Sequence, residues 1–94
     1  MTTYIVTYSL GKEEKKYKSF IKALEVIGGV KVLPSTYLVN TANNIDEMRL
    51  ALLPYLEKTD NLFIGAINGE VAVRNALCGN EMLQKLLVDS RKAE

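Results

Sequence analysis

The chain has 94 residues, a formal net charge of +1 and 48% apolar side chains. That fits one globular domain, and no apolar run approaches the roughly 20 residues a membrane helix needs. With no histidine and Cys78 as the only cysteine, the composition excludes an internal disulfide, a His/Cys zinc site and Ser-His-Asp or Cys-His catalysis. The near-neutral balance provides no overall field for a polyanion, so nucleic-acid contact would need a local patch. No basic segment followed by an apolar stretch opens the sequence, and the expectation is a cytoplasmic protein.

Thr3 to Ser9 (TYIVTYS) is β-branched and aromatic with rough alternation, and Leu10-Gly11 interrupts it, which predicts a first strand. From Glu13 to about Ile27, Tyr17, Phe20, Ile21, Leu24 and Ile27 recur at helical spacing, with Lys15, Lys18, Lys22 and Glu25 on the opposite side. Glu13 and Glu14 suit the positive end of that helix, and Gly28-Gly29 stops it. No helix start follows that glycine pair, so it does not read as a phosphate loop.

Val30 to Asn40 (VKVLPSTYLVN) is strand-like around Pro34, which cannot donate to a ladder. It reads either as two short strands, Val30 to Leu33 and Thr36 to Asn40, or as one strand bent at a bulge. Asn43-Asn44 offers a cap, and Ile45, Met48, Leu52, Tyr55 and Leu56 carry a helical pattern to about Lys58, which Pro54 should kink or divide. After the turn residues Thr59-Asp60-Asn61, Leu62 to Ile67 (LFIGAI) is the most apolar run and reads as a central strand. Asn68-Gly69 predicts a tight turn and Glu70 to Arg74 a return strand. Met82, Leu83, Leu86, Leu87 and Ser90 mark one side of a C-terminal helix from Asn80 to about Lys92, with a frayed tail beyond.

The order β-α-β-β-α-β implies an α+β fold of the ferredoxin-like type over one domain, residues 1–94. Its core spans about 3–67 and a C-terminal extension about 70–92, with an antiparallel sheet and both internal helices on one face. Both side-chain sets of the strands are substantially apolar: Tyr4, Val6 and Tyr8 oppose Ile5, Thr7 and Ser9 in the first strand, and the later strands divide similarly. The second face therefore needs a cover, either the C-terminal helix or a second subunit. The subunit is the favoured expectation, with Val71 to Val73 adding to its sheet edge.

The opening YIVTYSL, the segment VKVLPSTYLVN and the closing DNLFIGAI resemble the CRISPR-associated protein 2 superfamily, which includes the toxin-like virulence-associated protein D. The resemblance covers residues 4 to about 74. It implies a homodimer packed through its sheets, acting either as a metal-dependent nuclease or as a scaffold that holds duplex DNA. Its metal-binding aspartate at the end of the first strand corresponds to Ser9 here. A neutral hydroxyl is a poor primary ligand for Mg²⁺, so the expectation is a copy without the metal site. Glu13 and Glu14 are the acids closest to Ser9 in sequence, and a place in the first helical turn accounts for them. Asp46 and Glu47 are likewise explained by a helix start, and Asp60 by its turn.

Three functional classes follow. The first is a non-catalytic binding or scaffold module without a cofactor. The resemblance makes nucleic acid its partner, with Lys12, Lys15, Lys16, Lys18, Lys22 and Arg74 as the contacts; a protein partner is equally compatible with the charge. The second is an Mg²⁺-dependent endoribonuclease or deoxyribonuclease of the toxin-like branch, and the third a small-ligand regulatory domain. Tyr4, Tyr8 and Tyr37 could stack bases but read more simply as core residues with their hydroxyls at the rim. Cys78 reads as a small half-buried residue, with no adjacent base to activate its thiol.

Overall fold

The computed structural model describes residues 1–68 and 70–92. Its strands are β1 (Thr2–Ser9), β2 (Gly29–Leu33), β3 (Thr36–Thr41) and β4 (Asn61–Ile67), and its helices α1 (Lys18–Val26), α2 (Ile45–Leu52) and α3 (Asn80–Lys92). Short 3-10 turns, Glu14–Tyr17 and Leu53–Tyr55, precede α1 and follow α2. The sheet order is β2-β3-β1-β4 with every neighbouring pair antiparallel, an α+β architecture compatible with a ferredoxin-like fold.

On the first face, Tyr4, Val6 and Tyr8 of β1 and Tyr37 and Val39 of β3 meet Phe20 and Leu24 of α1 and Met48 and Leu52 of α2 in one buried cluster. The period-2 set of the strands thus meets the period-3.6 sets of both helices. Tyr8 stands edge-on to Phe20, with ring centroids 5.0 Å apart at 89°, the geometry that sets a ring's positive edge against a negative face. The tyrosines expected in the core are there. Tyr4 donates its hydroxyl to the Asn43 carbonyl and Tyr8 donates to Glu14, so neither ring is presented to solvent as a stacking platform.

The helix ends follow their local chemistry. Asn44 and Glu47 exchange side-chain and backbone hydrogen bonds in a capping box at the start of α2. Pro54 sits in the 3-10 turn that ends this helix, so the helical pattern reaching towards Lys58 is cut short. The first helix likewise becomes α-helical only from Lys18, because the backbone of Tyr17 departs from helical angles where its side chain turns inward. Gly28, at φ +94°, lets the chain reverse after α1. A Cβ on Gly29 would lie 2.6 Å from the Leu24 carbonyl oxygen, so only glycine fits where β2 leaves the helix. Between β2 and β3 the chain turns at Pro34-Ser35 and also carries a register shift between Lys31 and Leu33, which unites the two readings of that segment. Ser35 adopts φ +60°, and its carbonyl accepts from the Tyr8 N–H and the Thr7 hydroxyl, which hold that uncommon conformation.

Two sequence expectations are corrected. LFIGAI forms an edge strand, β4, and not a central one; β1 and β3 occupy the middle. Its apolar residues serve the two faces, since Leu62 and Ile64 pack against the first cluster and Ile67 against the second. The return strand at Glu70 to Arg74 is not formed: these residues lead away from the β4 edge, and Leu77 donates its N–H to the Val32 carbonyl at the opposite, β2 edge. Gly69 of the expected tight turn and the tail beyond Lys92 lie outside the described residues. Of the two covers expected for the second face, the C-terminal helix or a second subunit, α3 packs on part of it. Leu86 is 6% exposed against Val32 and Leu38, with Ile5, Val30, Ile67, Cys78 and Leu83 around them.

Candidate functional site

Burial on the second face of β1 falls along the strand. Thr3 is fully buried and donates its hydroxyl to the Leu86 carbonyl at 2.8 Å while accepting from the Asn40 amide at 3.0 Å. Ile5 is half-buried, Thr7 turns its hydroxyl to the β2–β3 turn, and Ser9 is exposed opposite Asn61. The strand thus delivers a hydroxyl to solvent at the place where the resemblance puts a metal-binding aspartate.

The acids around that strand end are engaged within the chain. Asp60 accepts from the Gly11 N–H and the Tyr17 hydroxyl, both at 2.8 Å, and from the Glu57 N–H at 2.7 Å. It joins the loop after β1 to the loop before β4. The Gly11 N–H, followed by the donors at Glu57 and Tyr17, holds its carboxyl below the usual carboxylate range despite partial desolvation. Burial, then the hydrogen bond to Asp60, pushes the Tyr17 hydroxyl up to about 12. Glu14 accepts the Tyr8 hydroxyl at 2.8 Å and lies 3.5 Å from Lys31, while burial and that same bond raise the pKa of Tyr8. Glu13 pairs with Lys15 and Glu57 with Lys12. Among the described residues, no group of three or more Asp, Glu or Cys side chains is placed to hold a metal ion.

The basic candidates divide in the same way. Lys12 and Lys15 are bound in exposed ion pairs, whereas Lys16, Lys18 and Lys22 are exposed on the 3-10 turn and α1 with no ion pair among the described residues. Lys18 and Lys22 flank a groove floored by Ala23 and Ile27 and closed by Ala51 and Tyr55. Arg74 belongs to the connection that leads to α3 on the other side of the sheet, so the structure does not bring it to the α1 lysines.

The sequence reading did not foresee three features. Asp60 is an organiser of two loops, Thr3 is a buried polar tie to α3, and Phe63, on the second face beside Thr7, is 62% exposed beyond the reach of that helix. Only Phe63 left a sequence signal, as an aromatic on the side of its strand that the internal helices do not cover. Comparisons with family models, with curated proteins and with solved structures find no match, so the chemistry of the chain rests on these residues.

Proposed function

We propose that this chain is a non-catalytic, homodimeric binding module of the ferredoxin-like, CRISPR-associated protein 2 type, which contacts nucleic acid through the exposed lysines of α1. The carrying observation is the end of β1: Ser9 offers a neutral hydroxyl, and the acids near it are spent on Gly11, Tyr17, Tyr8, Lys12 and Lys31. A divalent cation there would compete with Lys12, Lys15 and Lys31 for the nearby carboxylates. Lys16, Lys18 and Lys22 carry flexible ammonium groups suited to phosphates without reading base sequence. The strip around Phe63 that α3 leaves open is where a second copy would complete the sheet.

Incubation of the purified protein with RNA and DNA at several Mg²⁺ and Mn²⁺ concentrations tests the reading. Binding without cleavage is expected, with log K falling against log salt at a slope of roughly −3 per protomer if the free lysines each neutralise one phosphate. Lys22→Ala should reduce that slope by about 1. Cleavage that disappears in Ser9→Ala or Glu13→Ala overturns the proposal.

A further inference from the structure

The five tyrosines are not placed alike. Tyr4, Tyr8, Tyr17 and Tyr37 are each 5–6% exposed and belong to the first core, whereas Tyr55 is 47% exposed. It stands beside Pro54 in the 3-10 turn after α2, and its hydroxyl has no hydrogen-bond partner among the described residues. The side chain lines a groove of about 640 Å³ between α1 and α2, floored by Ala23 and Ile27. That volume lies within the roughly 300–1,000 Å³ of small-ligand sites. A ring that serves no core and holds no polar partner is free to meet something from outside.

The charge beside the ring has one sign. Lys18 and Lys22 flank the groove with no ion pair among the described residues, and no acidic side chain lines it. Glu47, one turn ahead of Ala51 on α2, spends its carboxylate on the Asn44 N–H. The same two lysines border a second groove, on the β2 side of α1, where Glu14 and Glu25 offset Lys15 and Lys31. Only the α2 side joins unopposed cations to an exposed ring.

We infer that the groove between α1 and α2 is a subsite for single-stranded nucleic acid: an unpaired base enters it and stacks on Tyr55 while the flanking phosphates bind Lys18 and Lys22. This rests on the nucleic-acid reading above and names the strand state that the site takes.

Spacing and shape support that choice. Lys18 and Lys22 are four residues apart on α1, about 6 Å along its axis, comparable to the separation of neighbouring phosphates in an extended strand. A duplex keeps its bases stacked inside and offers the lysines phosphates alone, which leaves the groove and the ring unused. A single strand offers phosphate and base together, because its bases can splay from the backbone onto an aromatic side chain. An acidic helix laid along the groove would find both cations within one turn and none in the last turn of α1, beside Val26.

Anisotropy titrations with four labelled probes test the inference: an oligothymidylate, the same strand in a duplex, an abasic strand of equal length, and an amphipathic Glu/Leu peptide. On the wild-type protein the oligothymidylate should bind tightest. Tyr55→Leu, which removes the ring and keeps an apolar side chain, should weaken it roughly 5- to 150-fold, towards the abasic strand, and leave the duplex and abasic strands unchanged. Tyr55→Phe should bind like the wild type. The circular dichroism spectrum of Tyr55→Leu should not change, since the ring lies outside both buried clusters. An oligothymidylate that binds wild-type protein no tighter than the duplex and abasic strands overturns the base subsite alone and leaves the nucleic-acid reading standing. Binding of the peptide but of no nucleic-acid probe overturns both in favour of a protein partner.

Discussion

The two faces of the sheet share their backbone but not their state of completion. Under α1 and α2 the strands offer Tyr4, Val6, Tyr8, Tyr37 and Val39, and the helices cover that set with fully buried Phe20, Leu24, Met48 and Leu52. On the other face α3 reaches Val32 and Leu38 through Leu86, is tied down by Thr3, and leaves the β4 side with Phe63 open. A face covered by two helices connected through the sheet closes itself. A face covered by one terminal helix stops where that helix stops, and what remains is available for contact.

The sharpest way to break this comparison is to remove a side chain from each face. Phe20→Ala leaves a cavity in the closed core and removes the edge-on contact with Tyr8, so chemical denaturation should show a loss of about 3–5 kcal/mol. Leu86→Ala acts on a cluster bounded by half-buried residues and a terminal helix that can settle inward. A smaller loss of about 2–3 kcal/mol is expected, together with faster amide exchange in α3. Equal losses at the two sites would erase the distinction between the faces.

A finer effect concerns the loops at the end of β1. The carboxyl of Asp60 is held below its ordinary value, so its contribution is fully present above about pH 4, the range of an unfolded aspartate, and is lost as pH falls through the lower folded value. Acid titration of the melting temperature should therefore show a destabilisation that is flatter in Asp60→Asn, which cannot undergo that change of charge. Tyr17 has the opposite sign. Its hydroxyl is raised, so the contribution is intact below pH 10 and disappears as pH climbs towards about 12; Tyr17→Phe should remove that alkaline limb.

Most of the first face was legible because its signals are periodic: the alternation in β1, the helical spacing of Phe20 and Leu24, and the cap at Asn44 each specify a local structure that tertiary packing then uses. The position of β4 was not. An apolar run reports that a strand's faces are buried, and Leu62, Ile64 and Ile67 are packed on two faces even though the strand is at the edge. The place of α3 was hidden for a related reason: periodicity gives a helix an apolar side without saying which surface receives it. At the candidate site, the hydroxyl of Ser9 could be read directly, whereas the role of Asp60 depends on a donor 49 positions away, at Gly11, that no local pattern encodes.

Sedimentation of the wild-type protein and of Phe63→Lys tests most directly whether a single chain leaves this side of its sheet unfinished. A wild-type dimer at micromolar concentration is expected, with half that mass and an unchanged circular dichroism spectrum for Phe63→Lys, whose side chain lies outside both buried clusters. A wild-type monomer, or a dimer that survives Phe63→Lys, would contradict it.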